Sequence, residues 1–106
     1  MRTELRQPYK QFFGTLANQC RLDIIDALRS GEKNVGEICR IVGDSQPTVS
    51  RNLQRLECCG FVSVQPNGRE RVYALNETTT KQILALMHQH MDRYCKKVVE
   101  GKHGKV

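Results

Sequence analysis

The chain of 106 residues lacks any stretch close to the roughly 18 to 20 consecutive apolar residues that a membrane-spanning helix requires. The segment after Met1 is polar and has no apolar core of the kind that a signal peptide carries. The sequence therefore argues against membrane insertion and against export. We expect a protein that works in the cytoplasm and has no membrane partner.

The patterns that catalysis needs are also missing. There is no glycine-rich phosphate loop and no paired acidic motif. A cysteine nucleophile needs a base and an orienting group, yet His88, His90 and His103 are far in sequence from Cys58 and Cys59. We therefore expect that the protein is not an enzyme.

Acidic residues are scarce, since 11 aspartates and glutamates stand against 17 lysines and arginines, which gives a formal net charge of +6. An excess of positive charge favours polyanionic partners and salt-sensitive association. The length corresponds to one small domain with a modest core, for which burial between two subunits is a natural supplement. We place this domain at residues 1–100 and expect the basic, glycine-flanked tail over 101–106 to be frayed.

The segment that follows Ser45 predicts a helix with two different faces. Ser45 is a good N-cap residue, and Pro47 stands in the first turn, where its missing N–H costs nothing. Val49, Leu53 and Leu56 fall at i, i+4 and i+7, so one face is apolar. The other face carries side chains that can reach base edges and phosphates, namely Gln46, Thr48, Ser50, Arg51, Asn52 and Arg55. This pattern predicts a helix that lies in a groove of DNA.

The residues before this helix predict three further helices. Apolar positions at helical spacing indicate one helix over 5–16 and a second that ends before Gly31. Asn34 and Glu37 match a capping box that opens a short third helix, which closes at Gly43. The turn after Gly43 leads directly into the polar helix, and this spacing is typical of a helix-turn-helix motif.

Two β-prone runs follow the polar helix, over 61–65 and 70–75. Between them stands the dipeptide Asn67-Gly68, which prefers a type I′ turn. The pattern predicts a β-hairpin, or wing, beside the polar helix. Arg69 and Arg71 lie at its tip and on its second strand, where they could contact phosphate or enter a minor groove.

A last helix is predicted from Thr78 onward. Its apolar residues repeat at steps of 4, 4, 3 and 4, close to the 3.5-residue period of a helix that packs against another helix. These residues are Ile83, Met87, Met91, Tyr94 and Val98. We interpret this seam as a dimerisation surface.

Four landmarks in this order resemble the ArsR/SmtB family of small winged helix-turn-helix repressors, and the match runs from Phe12 to Tyr94. The landmarks are Leu16-Ala17-Asn18-Gln19-Cys20-Arg21-Leu22, Ser45-Gln46-Pro47-Thr48-Val49-Ser50-Arg51-Asn52-Leu53, Leu56 with Gly60-Phe61-Val62, and Gly68-Arg69-Glu70-Arg71-Val72-Tyr73. The resemblance implies a mainly α fold with a β-hairpin and five helices. It also implies a homodimer that binds an imperfect palindrome in double-stranded DNA and represses until an inducer lowers its affinity.

The resemblance also assigns roles to single residues. Gln46, Thr48, Ser50 and Arg51 match the stretch that contacts bases and backbone, Arg69 and Arg71 match the wing, and Asn52 stands where many members carry His. The resemblance also implies that the first and last helices form the dimer interface. The residues that we assign to it are Leu5, Phe12, Ile83, Met87, Met91 and Tyr94.

Two metal sites that occur in the family have no counterpart here. In place of a Cys-x-Cys-Asp segment the chain has Asn34-Val35-Gly36-Glu37. At the positions where other members hold zinc or nickel between the two final helices, the chain has Thr80, Gln82, Arg93 and Lys96.

Cysteines are the remaining candidates for an inducer site. The chain has five, an odd number without a disulfide framework, which fits a reducing compartment where thiols stay free. Cys58, Cys59 and Cys95 from either subunit could hold a soft ion such as arsenite, cadmium or Cu(I), provided that the helix end frays. Alternatively, these thiols could form a disulfide that distorts the polar helix. The third interpretation is that Cys39 and Cys59 fill core positions.

Further alternatives stay open at this point. His88, Asp92 and Cys95 fall at i, i+4 and i+7 and could bind zinc or nickel, or they could be ordinary surface residues. The protein could regulate transcription without sensing a metal. It could also be a protein–protein interaction module, since winged helices serve that purpose too.

Overall fold

The computed structural model describes the backbone of residues 3–95 and the side chains of residues 6–95. The chain divides into two compact units, one up to Asn76 and one from Glu77 onward. The domain boundary that we predicted near residue 100 stays a prediction, and the tail over 101–106 lies outside the described residues. Within the described range, no helix combines the length and the apolar character that crossing a bilayer would take.

The first unit begins with helices α1 (Thr3–Leu16) and α2 (Gln19–Leu28). Pro8 lies in the second turn of α1, near the start of the helix as the sequence required. Asn18 caps α2, because its side-chain oxygen accepts a hydrogen bond from the backbone N–H of Arg21 at 3.0 Å. Both helices confirm the predicted elements.

The helix-turn-helix consists of α3 (Val35–Val42) and α4 (Gln46–Cys58). The predicted capping box opens α3, with Glu37 N–H donating to Asn34 Oδ1 at 2.8 Å and Asn34 N–H donating to Glu37 Oε1 at 3.0 Å. Gly43 ends α3 in the left-handed region with a φ of 86°. Ser45 caps α4, which we call the recognition helix.

Three antiparallel strands, β1 (Lys33–Asn34), β2 (Val62–Asn67) and β3 (Glu70–Leu75), form a sheet in the order β1-β3-β2. Strands β2 and β3 are the predicted wing, whereas β1 was not predicted because two residues carry no periodicity. The predicted Asn-Gly type I′ turn is wrong. Asn67 pairs with Glu70, and of the two residues between them only Gly68 has a positive φ, at 66°. Gly68 is therefore the first central residue, as in a type II′ turn.

The core of the first unit lies between the helix-turn-helix and the sheet. Its aliphatic side chains come from α2, α3 and α4, and the sheet adds aromatic and branched residues. The members that are at most 4% exposed are Ile24, Ile25, Leu28, Ile38, Val49, Leu53, Leu56, Phe61, Val62, Tyr73 and Leu75. Burial of this set fixes the recognition helix against the body of the unit.

The second unit contains α5 (Thr80–His90), which continues as a π-helical turn, η1 (Met91–Cys95). A π turn has i→i+5 hydrogen bonds, so it rotates the following residues away from α-helical positions. The predicted seam is therefore wrong in its regular spacing from Met91 onward. Tyr94 is 67% exposed, and Val98 lies outside the described residues.

Candidate nucleic-acid interface

The recognition helix turns its apolar face inward, as predicted. Val49, Leu53 and Leu56 are fully buried at 0% exposure. Gln46, Arg51 and Arg55 are exposed on the remaining surface. Because the apolar face is fixed in the core, the polar face has a defined orientation with respect to the wing.

One side of this polar face forms a groove with the wing, which we call the wing groove. Gln46, Ser50 and Gln54, at steps of four residues, line it from the recognition helix. Arg69 and Arg71 line it from the wing, and the groove has a volume of about 660 Å³. The sequence predicted Gln46, Ser50, Arg69 and Arg71 separately as DNA contacts, and the structure brings them together.

Charge in the wing groove is predominantly positive. Arg40 of α3 adds a third guanidinium to those of Arg69 and Arg71, and Glu70 is the acidic residue among the lining side chains. The Glu70 carboxylate accepts a hydrogen bond from Asn34 Nδ2 at 3.3 Å, which connects the wing to the start of α3. Such a surface attracts phosphate, and amide and hydroxyl groups beside it can contact base edges.

Arg51 and Arg55 lie on the other side of the recognition helix. They line a second cleft, which we call the α1 cleft, because Lys10 of α1 forms its opposite wall. Gln54 lines both the wing groove and the α1 cleft. The predicted contact residues are therefore divided between two sides of one helix.

Asn52, predicted to contact DNA, is half-buried in a network within the protein. Its Oδ1 accepts a hydrogen bond from Arg21 Nε at 2.9 Å, and its Nδ2 donates to the carbonyl of Thr48 at 3.0 Å. Arg21 Nη1 also donates to the carbonyl of Thr15 at 3.2 Å. This network, which we call the Arg21 clamp, holds the recognition helix against α1 and α2.

Thr48 is half-buried near the start of the recognition helix. Its hydroxyl accepts a hydrogen bond from the Ser45 hydroxyl at 3.0 Å, and its backbone N–H donates to the same Ser45 oxygen at 3.4 Å. The predicted contact residue therefore also takes part in capping the helix.

The cysteines occupy different environments. Cys58 and Cys59, at the end of the recognition helix, are exposed, and Cys39 is half-buried. Cys59 Sγ lies 3.5 Å from the hydroxyl of Thr15 in α1. The interpretation that Cys59 fills a core position is wrong, because the end of the helix extends beyond the core.

Cys20 is a half-buried thiol at the start of α2. Its pKa is raised from 9.0 to about 11, mainly by burial and then by a hydrogen bond to Asp44 and by the negative charges of Asp44 and Asp23. A hydrogen bond with Asn52 acts in the opposite direction. Cys20 therefore lies beside the Arg21 clamp and stays protonated at neutral pH.

No group of three or more Cys, His, Asp or Glu side chains that could hold a metal ion occurs among the described residues. The hypothesis of a zinc or nickel site at His88, Asp92 and Cys95 is therefore wrong within one chain, since the π turn removes the α-helical spacing on which it depended. A site that combines Cys58 and Cys59 with Cys95 of a second copy stays a hypothesis.

Three residues at these surfaces were missed by the sequence prediction. Gln54 continues the spacing of Gln46 and Ser50, so the helical period alone could have identified it. Arg40 and Lys10 belong to other helices, and only the packing of the fold brings them to the recognition helix. No local pattern distinguishes them from other surface cations.

Comparisons with known proteins agree with this geometry. The family model described as "Bacterial regulatory protein, arsR family" matches residues 18–64. The HTH-type transcriptional regulator Rv2034 of Mycobacterium tuberculosis is 34% identical over 86 residues, which cover 81% of this chain and 77% of that protein. A probable mercury resistance operon repressor of Streptomyces lividans is 32% identical over 76 residues, which cover 72% of this chain and 61% of the relative.

A solved structure has the same fold. The homodimeric winged helix-turn-helix DNA-binding domain of Mb0332 from Mycobacterium bovis, a possible ArsR-family transcriptional regulator, matches with a TM-score of 0.78 at 29% identity. The match covers 88% of this chain and 86% of that domain. The wing, the helix-turn-helix and the basic groove between them thus define a winged helix-turn-helix DNA-binding protein. The chain belongs to the ArsR family of bacterial regulatory proteins and is a transcriptional regulator.

Proposed function

We propose that the protein is a homodimeric repressor that occupies an imperfect palindrome in double-stranded DNA in the cytoplasm. The observation that carries this proposal is the wing groove. Gln46 and Ser50 present amide and hydroxyl groups to base edges, and Arg69 and Arg71 present cations to phosphate or to a minor groove beside the helix. The repressors among the relatives support the direction of regulation.

The dimer is supported by apolar side chains that remain exposed on α1 and α5. Phe13 on α1 and Leu86 on α5 are 67% and 66% exposed, and Met87 is 37% exposed. Of the predicted interface residues, Phe12 is half-buried because its ring packs 5.2 Å from that of Phe61, and the Leu5 side chain lies outside the described residues. A second copy would cover these exposed groups and place two recognition helices on one DNA duplex.

The test is a mobility shift with DNA from upstream of the gene. We expect sequence-selective binding whose affinity decreases with salt, and we expect Arg69→Gln to weaken it by about tenfold, which corresponds to about 1.4 kcal/mol. Arg29→Gln is the matched control, because Arg29 is exposed, pairs with Asp26 at 3.2 Å and lines neither cleft. Equal affinities for the two variants would contradict the role of the wing groove. A protein–protein interaction module would bind no DNA selectively.

Release of DNA by thiol chemistry is a second candidate function. The observation that favours it is the exposure of Cys58 and Cys59 at the end of the recognition helix, with Cys59 in contact with Thr15 of α1. A thiophilic ion or an oxidised sulfur at this point would disturb the contact that positions the helix. Arsenite, cadmium and peroxide should each be added to the mobility shift. Release that persists when Cys58, Cys59 and Cys95 are all replaced by serine would exclude this function.

A further inference from the structure

The α1 cleft concentrates positive charge on one side of the recognition helix. Lys10, Arg51 and Arg55 line it together with Arg21, and no aspartate or glutamate is among its described lining residues. Arg21 donates to the neutral Asn52 side chain and to the Thr15 carbonyl, so these contacts do not neutralise its charge. Four cations with a shared opening favour an anionic partner.

The shape of the cleft indicates which kind of anion. Its volume is about 680 Å³, and it is open to solvent along the helices. Sites for small molecules enclose most of the surface of their ligand, which an open cleft does not do. A sugar-phosphate backbone needs only a row of donors along one side, as Lys and Arg provide.

The position of the cleft identifies the source of that backbone. A recognition helix in a major groove has one phosphate strand on each side, because the groove is only about 12 Å wide. The wing groove lies on one side of α4 and the α1 cleft on the other, and Gln54 lines both. With the recognition helix in a major groove, the α1 cleft would face the phosphate strand opposite the wing.

We propose that the α1 cleft is a second phosphate-binding surface, at which Lys10 and Arg55 contact the DNA backbone opposite the wing. This inference rests on the proposed function, and it gives α1 a direct part in DNA binding. Lys10 is exposed, so its substitution should change the contact without unfolding the helix.

The experiment measures operator affinity against salt concentration for Lys10→Gln. Each phosphate contact contributes about 0.9 to the slope of log affinity against log salt. A homodimer carries the substitution twice and so loses two contacts. Between 50 and 200 mM salt, the variant should therefore lose about 12-fold less affinity than the wild type. Lys81→Gln removes the same charge from a lysine that pairs with Glu77 and lines neither cleft, and it should keep the wild-type slope.

Two further results separate the possible explanations. Ethylation of the phosphates that Lys10 contacts should weaken DNA binding by the wild type and by Lys81→Gln, but not by Lys10→Gln. If inorganic phosphate, at constant ionic strength, displaced DNA from the wild type and not from Lys10→Gln, the cleft would be a site for a free anion and the inference would be overturned. Equal slopes for Lys10→Gln and Lys81→Gln would also overturn it. The absence of selective binding by the wild type would instead contradict the proposed function.

Discussion

The recognition helix and the last helix are both amphipathic in sequence, but only the recognition helix has its apolar face covered. Leu53 is 0% exposed, whereas Leu86 on α5 is 66% exposed and Met87 is 37% exposed. The recognition helix is thus positioned by its own unit, and the apolar residues of α5 remain available to another surface. The comparison suggests that one chain is sufficient to orient the DNA-binding face, while in the proposed dimer the second copy would determine how two such faces are spaced.

The largest effect should come from the same substitution at the two contrasting leucines. Leu53→Ala removes a fully buried side chain and should lower the free energy of unfolding by about 2 to 5 kcal/mol. Leu86→Ala should change the stability of the folded chain by no more than about 0.5 kcal/mol but should weaken dimerisation. Urea denaturation measures the loss of stability in Leu53→Ala. Sedimentation equilibrium over a range of protein concentrations measures the weaker dimerisation of Leu86→Ala. An unchanged dimer dissociation constant in Leu86→Ala would break the comparison.

A smaller effect is expected from the Arg21 clamp, which is the polar part of the anchoring of the recognition helix. Arg21→Ala removes donors at 2.9 Å and 3.2 Å from half-buried acceptors and should lower the free energy of unfolding by about 1 to 2 kcal/mol. DNA affinity should decrease as well, because the helix loses its fixed orientation.

A double-mutant cycle decides what Asn52 does. If Asn52 acts through Arg21, Asn52→Ala should reduce DNA affinity in the wild-type background and have little further effect in Arg21→Ala. If Asn52 contacts a base directly, the two losses in binding free energy should add. Additive losses would show that the clamp is not the main role of Asn52.

Helix capping should contribute less to the free energy of unfolding than the Arg21 clamp does. Its contribution should also differ between α3 and the recognition helix. Asn34→Ala breaks a capping box with hydrogen bonds of 2.8 Å and 3.0 Å and should lower the free energy of unfolding by about 1 kcal/mol. Ser45→Ala removes an exposed cap bond of 3.4 Å and should cost less. Urea denaturation of both variants tests the order. A larger loss for Ser45→Ala would mean that the packing of the recognition helix depends on its cap.

Local patterns in the sequence predicted the four helices and the hairpin of the first unit, but not the short strand β1 or the type of the hairpin turn. The period of Val49, Leu53 and Leu56 predicted which face of the recognition helix is buried, and the capping box predicted the start of α3. The Arg21 clamp could not be predicted, because it joins residues 31 positions apart through packing. The π turn was missed for a similar reason, since an apolar repeat does not reveal a change of hydrogen-bond pattern within a helix.

The smallest effect on function is expected at Cys20. Its reactivity measures how readily the packed side of the recognition helix opens to solvent. Its pKa is raised to about 11, first by burial and then by Asp44, so the fold favours the neutral thiol. The contribution of Cys20 to the free energy of unfolding is therefore complete below the ordinary pKa of 9.0 and is lost as the pH rises through about 11. Stability and DNA binding between pH 7 and 8 should be independent of its titration.

Alkylation with iodoacetamide provides the measurement. At pH 8, a difference of two pKa units reduces the thiolate fraction of Cys20 by about 100-fold relative to an ordinary thiol. Peptide mass spectrometry should therefore find Cys58 and Cys59 modified long before Cys20, because both are exposed. Asp44→Asn should speed up the reaction of Cys20, since it removes the nearby negative charge. Equal rates for Cys20 and Cys58 in the wild type would show that the junction of α2 with the recognition helix opens readily. The contrast between the recognition helix and the uncovered last helix would then be weaker than the burial of Leu53 indicates.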